Sequence, residues 1–202
     1  MGRRFVVERR RDPYYRAAQT EGLRSRSAFK LEHLLERYPI FRAGARVLDL
    51  GAAPGGWSIV AAERVGRRGE VVAVDPRPVE PIEGVTFVRG TVGSPGLADR
   101  LGREPFDAVL SDMSPRISGA YATDHARSVD LVRSAFVLSE RVLRNGGSFV
   151  AKVFAGEMLD ELDAELGRAF ERWVRTKPPA SRERSSELYL IGLRYHAAAE
   201  SS

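Results

Sequence analysis

The sequence predicts an α/β protein built on a mostly parallel, seven-stranded sheet with helices on both faces and the last strand reversed. Three observations carry this. From residue 26 onward, apolar strand-like runs alternate with amphipathic helical stretches, the pattern of a parallel sheet covered on both sides. The first strand opens into a glycine-rich turn, Gly51-Ala-Ala-Pro-Gly55-Gly56, a feature of ligand-binding sheets. Only ten residues, PPASRERSSE, separate the last two strands. They start with two prolines and lack an apolar stripe, so no helical crossover fits and the final strand must run antiparallel.

The elements follow in order. RSAFKLEHLLERY (26–38) places Ala28, Leu31, Leu34, Leu35 and Tyr38 on one helical face, with Pro39 as the stop. ARVLDLG (45–51) is a strand and WSIVAAERVG a helix; EVVAVD (70–75), VTFVRG (85–90) and FDAVLSD (106–112) are strands. Residues 124–144 read as a long helix terminated by Asn145-Gly146-Gly147. GSFVAKVF (147–154) is a strand, and the next helix carries Leu159, Leu162, Leu166 and Phe170. RWVRTK (172–177) and LYLIGLRYH (188–196) complete the sheet. The predicted organisation is a basic arm over 1–25, one domain over 26–198 and a tail over 199–202.

Composition narrows the function classes. The chain of 202 residues has no cysteine, which excludes disulfides, cysteine-ligated zinc and a thiol nucleophile. Its three histidines, His33, His125 and His196, lack metal-site spacing and read as structural or surface residues. No apolar run is long enough to span a membrane, and MGRRFVVERR has charge without a following apolar stretch, so the expected location is the cytoplasm. The formal charge of +5 favours a polyanionic partner. Residues 1–30 concentrate it, with nine basic side chains against three acidic ones, and DPYYRAA interleaves aromatic rings with the arginines, which points toward nucleic acid.

One residue stands out against that composition. Of 32 basic residues only Lys30, Lys152 and Lys177 are lysine. Lys152 lies inside FVAKVF, a run that otherwise reads as a buried strand. A lysine there either snorkels from an edge strand, pairs with a carboxylate for structure, or handles a proton. Arginine serves a structural pair at least as well, and this chain prefers arginine. Lysine differs in being able to lose its proton.

The turn after the first strand admits three ligand classes. A Walker-type loop needs Gly-Lys-Ser/Thr, which is missing, and the dinucleotide fingerprint Gly-x-Gly-x-x-Gly is not matched. S-adenosyl-L-methionine (AdoMet) remains. Asp75 ends the second strand 24 residues after Gly51, where an acid accepts hydrogen bonds from ribose hydroxyls.

The stretches DPYYRAAQTEGLRSRSAFKL, VLDLGAAPGGWS, VLSDMSP, GGSFVAKVFAG and KPPASRERSSELYL, in this order over residues 12–195, resemble the FtsJ/RrmJ (RlmE-like) family of RNA 2′-O-ribose methyltransferases. The resemblance implies a class I methyltransferase fold of the Rossmann-like type, AdoMet as methyl donor and RNA as substrate. It also implies a Lys-Asp-Lys-Glu constellation, which falls on Lys30, Asp112, Lys152 and Glu187. The cofactor contacts it implies are Gly51, Gly55, Trp57, Asp75, Thr91 and Asp112. Two positions depart from the family pattern: Gly90-Thr91 stands where Gly-Asp is usual near the adenine, and Leu23 replaces a tyrosine before Arg24-Ser25-Arg26.

A ribose hydroxyl is a poor nucleophile, so alignment with the methyl and removal of its proton set the rate. In this reading Lys152 is the general base, Asp112 and Lys30 position it and the hydroxyl, and Glu187 completes the network. Burial, Lys30 and a cationic donor favour the neutral amine, while Asp112 opposes them. The expected substrate is a uridine of large-subunit ribosomal RNA, with the basic arm and the Lys177–Arg184 loop gripping phosphates and no role for DNA or membrane. The alternatives are methylation of tRNA anticodon-loop riboses and a non-catalytic RNA- or ribosome-binding protein on this fold. Amino-group methylation is disfavoured because Asp112-Met113-Ser114-Pro115 replaces an Asp/Asn-Pro-Pro-aromatic motif. Base C5 methylation lacks its cysteine, and a nicotinamide oxidoreductase lacks its glycine pattern.

Overall fold

A computed structural model describes residues 27–179 and 186–197. The predicted basic arm (1–25), most of the PPASRERSSE connection and the predicted tail lie outside the described residues. Helix α1 (Ser27–Arg37) precedes strand β1 (Arg46–Leu50), helix α2 (Gly56–Val65) and strands β2 (Glu70–Asp75) and β3 (Val85–Arg89). A one-turn helix α3 (Leu97–Arg100), strand β4 (Phe106–Ser111), helix α4 (Tyr121–Val142) and strand β5 (Leu143–Phe154) follow. Helix α5 (Leu159–Gly167) and strands β6 (Phe170–Thr176) and β7 (Glu187–Tyr195) complete the described elements. No helix among the described residues is long and apolar enough to cross a membrane.

The seven strands form one sheet in the order β3-β2-β1-β4-β5-β7-β6. The pairs from β3 through β5 are parallel, and β7 runs antiparallel to both β5 and β6. The short final connection therefore reverses the last strand, as its length requires. It also lets β7 slot between β5 and β6, which sets Tyr189 opposite Lys152 and Glu187 opposite Phe154.

Strand alternation sorts the core into two layers. Leu48, Leu50, Val72, Val74, Phe149, Ala151 and Val153 pack under α4 and α5. Val47, Val71, Ala108, Leu110, Val150 and Ile191 pack under α1 and α2, with Ala28, Leu31 and Leu34 of α1 completing that layer. Because the side-chain period is two, Asp49, Asp112, Lys152 and Tyr189 continue the second layer's rows toward the edge where β5 ends and β7 begins.

Three expectations are revised. The long helix ends at Val142, and Leu143 already pairs with Phe106 in the sheet. Leu143 is buried in the core, so Asn145-Gly146-Gly147 forms a bulge across the register shift instead of a helix cap, with Gly146 at φ 77°. Phe170 belongs to β6, where its ring packs on Phe149, Trp173 and Tyr195. Helix α3 carried no periodic signal because it is a single turn. His125 is structural: Nδ1 donates to the Phe154 carbonyl (2.9 Å) and Nε2 accepts from the Met158 amide (3.1 Å). It leaves no room at Gly156, where an added Cβ would lie 2.3 Å from the imidazole.

Asp49 is fully buried in β1, and its Oδ2 accepts from the Ser58 hydroxyl of α2 at 2.5 Å. Its Oδ1 has no hydrogen-bond partner. Burial pushes its carboxyl up to about 7, against the pull of Ser58, and Asp112 and Asp75 add to the rise.

Two predictions follow from this packing. Gly156→Ala is expected to cost about 1–3 kcal/mol, read as a lower melting temperature with no change in cofactor affinity beyond that loss. For Asp49, the folded state holds a proton that the unfolded chain releases above about pH 4, so stability falls as pH rises from there through about 7. Urea unfolding of Asp49→Asn is expected to remove that slope, a relative gain on the order of 4 kcal/mol at pH 8. Parallel pH profiles for wild type and variant would show that Asp49 stays ionised.

Candidate active site

Strands β1, β2, β4 and β5 all end on one edge of the sheet. Between the loops that leave them lies a cavity of about 600 Å³. Its walls include Gly51, Trp57, Asp75, Thr91, Asp112 and Lys152, so six of the residues singled out in the sequence meet at one site. Thr91 and Asp75 stand toward the β3 side and Lys152 toward β5.

The turn after β1 is built by steric necessity. Gly51 has φ 76°, and a Cβ there would lie 2.6 Å from the Met113 side chain. Its amide donates to the Val74 carbonyl at 2.9 Å, tying the turn to β2. Gly55 turns the chain into α2 at φ 110°, but it is Gly56 that borders the cavity. The N-terminus of α2 therefore faces the site, an arrangement that favours a carboxylate or another anion.

Asp75 is buried at the end of β2. Its Oδ2 accepts from the Ala53 amide (3.0 Å) and its Oδ1 from the Arg77 amide (2.8 Å). The Arg77 guanidinium also reaches both oxygens, at 3.2 and 3.4 Å, from an exposed side chain. A carboxylate offers about four acceptor positions. The two amides hold it in place, and the remaining two positions face the Arg77 guanidinium, which also donates to the Ala53 carbonyl at 3.1 Å.

Trp57 has a narrower role than a ligand contact. Its ring is buried, its indole N–H donates to the Ser27 carbonyl at 2.8 Å, and it stacks on Tyr189 with centroids 5.6 Å apart. It thereby fastens α1 to α2 and braces the centre of the site.

Lys152 is 7% exposed and doubly held: Nζ donates to the Asp112 carbonyl at 2.8 Å and lies 3.1 Å from Asp112 Oδ1. The same Oδ1 accepts from the Tyr189 hydroxyl at 2.9 Å. Lys30, buried in α1, pairs with Glu187 and lies 5.8 Å from the centre of the Tyr189 ring. The four residues of the predicted constellation thus form two ion pairs, Lys152–Asp112 and Lys30–Glu187, joined through one tyrosine. Lys152 and Asp112 border the cavity; Lys30 and Glu187 do not.

Tyr189 was not singled out in the sequence. The signal was present, since it follows Glu187 by two residues in a strand and therefore shares its face. Asp49 was likewise legible as a lone acid inside VLDL. Arg77 carried no signal of its own.

The arrangement can hold a ligand with a carboxylate and a diol across the strand ends, and it places a buried amine and a carboxylate where that ligand ends. The sequence model of the FtsJ-like methyltransferases matches residues 23–195. Ribosomal RNA large subunit methyltransferase E of Archaeoglobus fulgidus is 47% identical over 189 residues, covering 92% of this chain and 97% of that protein. The protein of the same name from Methanothermobacter thermautotrophicus is 44% identical over 197 residues, 95% of this chain and 93% of its own. Among solved structures, one described as a ribosomal RNA methyltransferase from Plasmodium falciparum superposes with a TM-score of 0.79 at 27% identity, covering 87% of this chain and 100% of that one. Aeropyrum pernix fibrillarin, solved with S-adenosyl-L-methionine bound, shares the fold at a TM-score of 0.57 and 18% identity, covering 84% of this chain and 75% of its own. With a family match over nearly its whole length and relatives of this similarity, the chain belongs to the FtsJ-like methyltransferase family.

Proposed function

We propose that the protein transfers a methyl group from AdoMet to a ribose 2′-hydroxyl of large-subunit ribosomal RNA. The observation that carries this reading is the buried Lys152–Asp112 pair at the β5 end of the cavity. The relatives named as ribosomal RNA large subunit methyltransferases support the substrate class.

The residues present fit AdoMet. The cavity volume falls in the range of small-molecule sites. Asp75 offers two acceptors for the ribose diol, and the α2 N-terminus suits the methionine carboxylate. Thr91 brings one hydroxyl to the adenine end, so recognition there is neutral where the family usually has an acid. When bound, AdoMet supplies an electrophilic methyl carried on a cationic sulfur.

Lys152 Nζ is placed to take the proton of the 2′-hydroxyl, whose oxygen would gain the methyl as the donor's methyl–sulfur bond breaks. Asp112 fixes the direction of the amine through its carboxylate and its carbonyl, and Tyr189 in turn fixes the carboxylate. Lys30 and Glu187 hold Tyr189 from the α1 side. The arginine-rich segment before α1 supplies contacts to RNA phosphates. A ribosomal substrate also fits the cytoplasmic expectation.

Two measurements test this. Labelled AdoMet is offered with unmodified large ribosomal subunits, free ribosomal RNA and tRNA; label is expected in the large-subunit RNA, at a ribose. Label in tRNA alone moves the substrate, and label in no RNA removes the catalytic reading. Lys152→Arg keeps the charge and removes the base, so methyl transfer is expected to drop by about 10²–10⁴ with AdoMet affinity retained. A near wild-type rate in that variant disproves the base assignment.

A further inference from the structure

The two ion pairs leave one neighbouring surface without a task. Ile117 and Tyr121 are large apolar side chains standing 66% and 62% exposed. They flank a second cavity of about 360 Å³, whose other walls include Phe154, Asp124, Ser186 and Glu187. Two large apolar side chains exposed side by side at the rim of a cavity offer a flat apolar contact for a ligand.

The segment carrying these two side chains is held in place. The Asp124 carboxylate accepts from the Ser118 amide (2.8 Å), the Ser118 hydroxyl (2.7 Å) and the Gly119 amide (3.1 Å). Those hydrogen bonds, Ser118 first, keep its carboxyl below the ordinary carboxylate range. Gly119 takes φ 86° at the bend, and the Asp124 amide closes the turn on the Ala120 carbonyl at 2.9 Å. The backbone that carries Ile117 and Tyr121 is thereby fixed beside the cavity.

The strand register locates the second cavity relative to Lys152. Phe154 lies two residues beyond Lys152 in β5, and Glu187 pairs with Phe154 as Tyr189 pairs with Lys152. Residues two apart on a strand share a face at a spacing of about 7 Å. The cavity is thus one side-chain step along the sheet from the amine that takes the 2′-hydroxyl proton. In a nucleotide, the carbon next to the one bearing that hydroxyl carries the base.

We propose that this second cavity receives the base of the target nucleotide, turned out of its stack, with Tyr121 and Ile117 packing against its face and Phe154 as the floor. The proposal rests on the ribose-methylation reading and adds to it how the substrate nucleoside is held. Every base has a π-face, so an exposed ring of this kind gives grip without strong sequence preference. Free rotation of the ribose about its neighbours is then removed, which aligns the hydroxyl with the methyl donor.

The test uses the full-length enzyme with AdoMet and unmodified large ribosomal subunits. Tyr121→Ala is expected to lower kcat/KM for the RNA about 5- to 150-fold, the equivalent of one lost base stack, with AdoMet affinity and melting temperature as in wild type. Tyr121→Phe restores most of the loss, because the ring and not the hydroxyl does the holding. A photoreactive benzoyl-phenylalanine at position 121 is expected to crosslink to the methylated nucleotide. Full activity of Tyr121→Ala, equal losses in the Ala and Phe variants, or a crosslink to a ribosomal protein or a distant nucleotide each overturns the proposal. If the wild-type enzyme labels no RNA, the methylation reading fails and this one with it. If it labels RNA and Tyr121→Ala does so equally well, only the base cavity is lost.

Discussion

A buried ammonium must be partnered, and the arrangement of this protein around Lys152 follows from that constraint. Taking a lysine out of water costs several kcal/mol unless a carboxylate and further acceptors replace the solvent. Here Asp112 supplies both a carboxylate oxygen and a carbonyl oxygen. That is possible only because β4 and β5 are neighbours in register, Ser111 against Ala151, so that the residue after one strand's end meets the amine of the next. Removing either partner leaves an uncompensated charge in a layer of apolar side chains, so the pair ties the fold to the site.

The same layer carries the other polar groups. Rows that begin with Val47, Leu110, Val150 and Ile191 in the apolar interior pass on to Asp49, Asp112, Lys152 and Tyr189 at the ligand edge. Alternation along each strand is enough to produce this: it keeps the side chains on one face, and only their depth changes. The cost appears at Asp49, whose carboxyl lies below the turn with one oxygen unpartnered and with Asp75 and Asp112 close enough to oppose its ionisation. Two of these acids border the cavity, and the third, Asp49, buried beneath the turn, keeps its proton up to about pH 7.

Helix α1 is drawn into the site by two unlike contacts. Its start accepts the Trp57 indole hydrogen bond, and its Lys30 closes an ion pair on Glu187 over the ring of Tyr189. Trp57 and Tyr189 stack between these anchors. Tyr189 therefore links both ion pairs: its hydroxyl orders Asp112 and its ring supports Lys30, so displacement of α1 is felt at Lys152.

By itself the sequence determined the α/β class, the reversed last strand, the glycine turn with Asp75 beyond it, and Lys152 as an anomaly in a buried strand, while Lys30, Asp112 and Glu187 were set beside it only by the resemblance to the family. The features read without the resemblance were legible because local chemistry enforces them. Apolar period marks strands and helices, a ten-residue connection forbids a crossover, and a lone lysine in a buried strand contradicts a chain that otherwise uses arginine. Only the tertiary structure decided that β7 enters between β5 and β6, that Tyr189 joins the two ion pairs, that Asn145-Gly146-Gly147 is a bulge and not a cap, and that Trp57 braces α1. Each of these depends on which residues meet from distant parts of the chain, and no local pattern encodes a meeting of that kind. It is settled by which packing buries the apolar faces while leaving Lys152 beside Asp112.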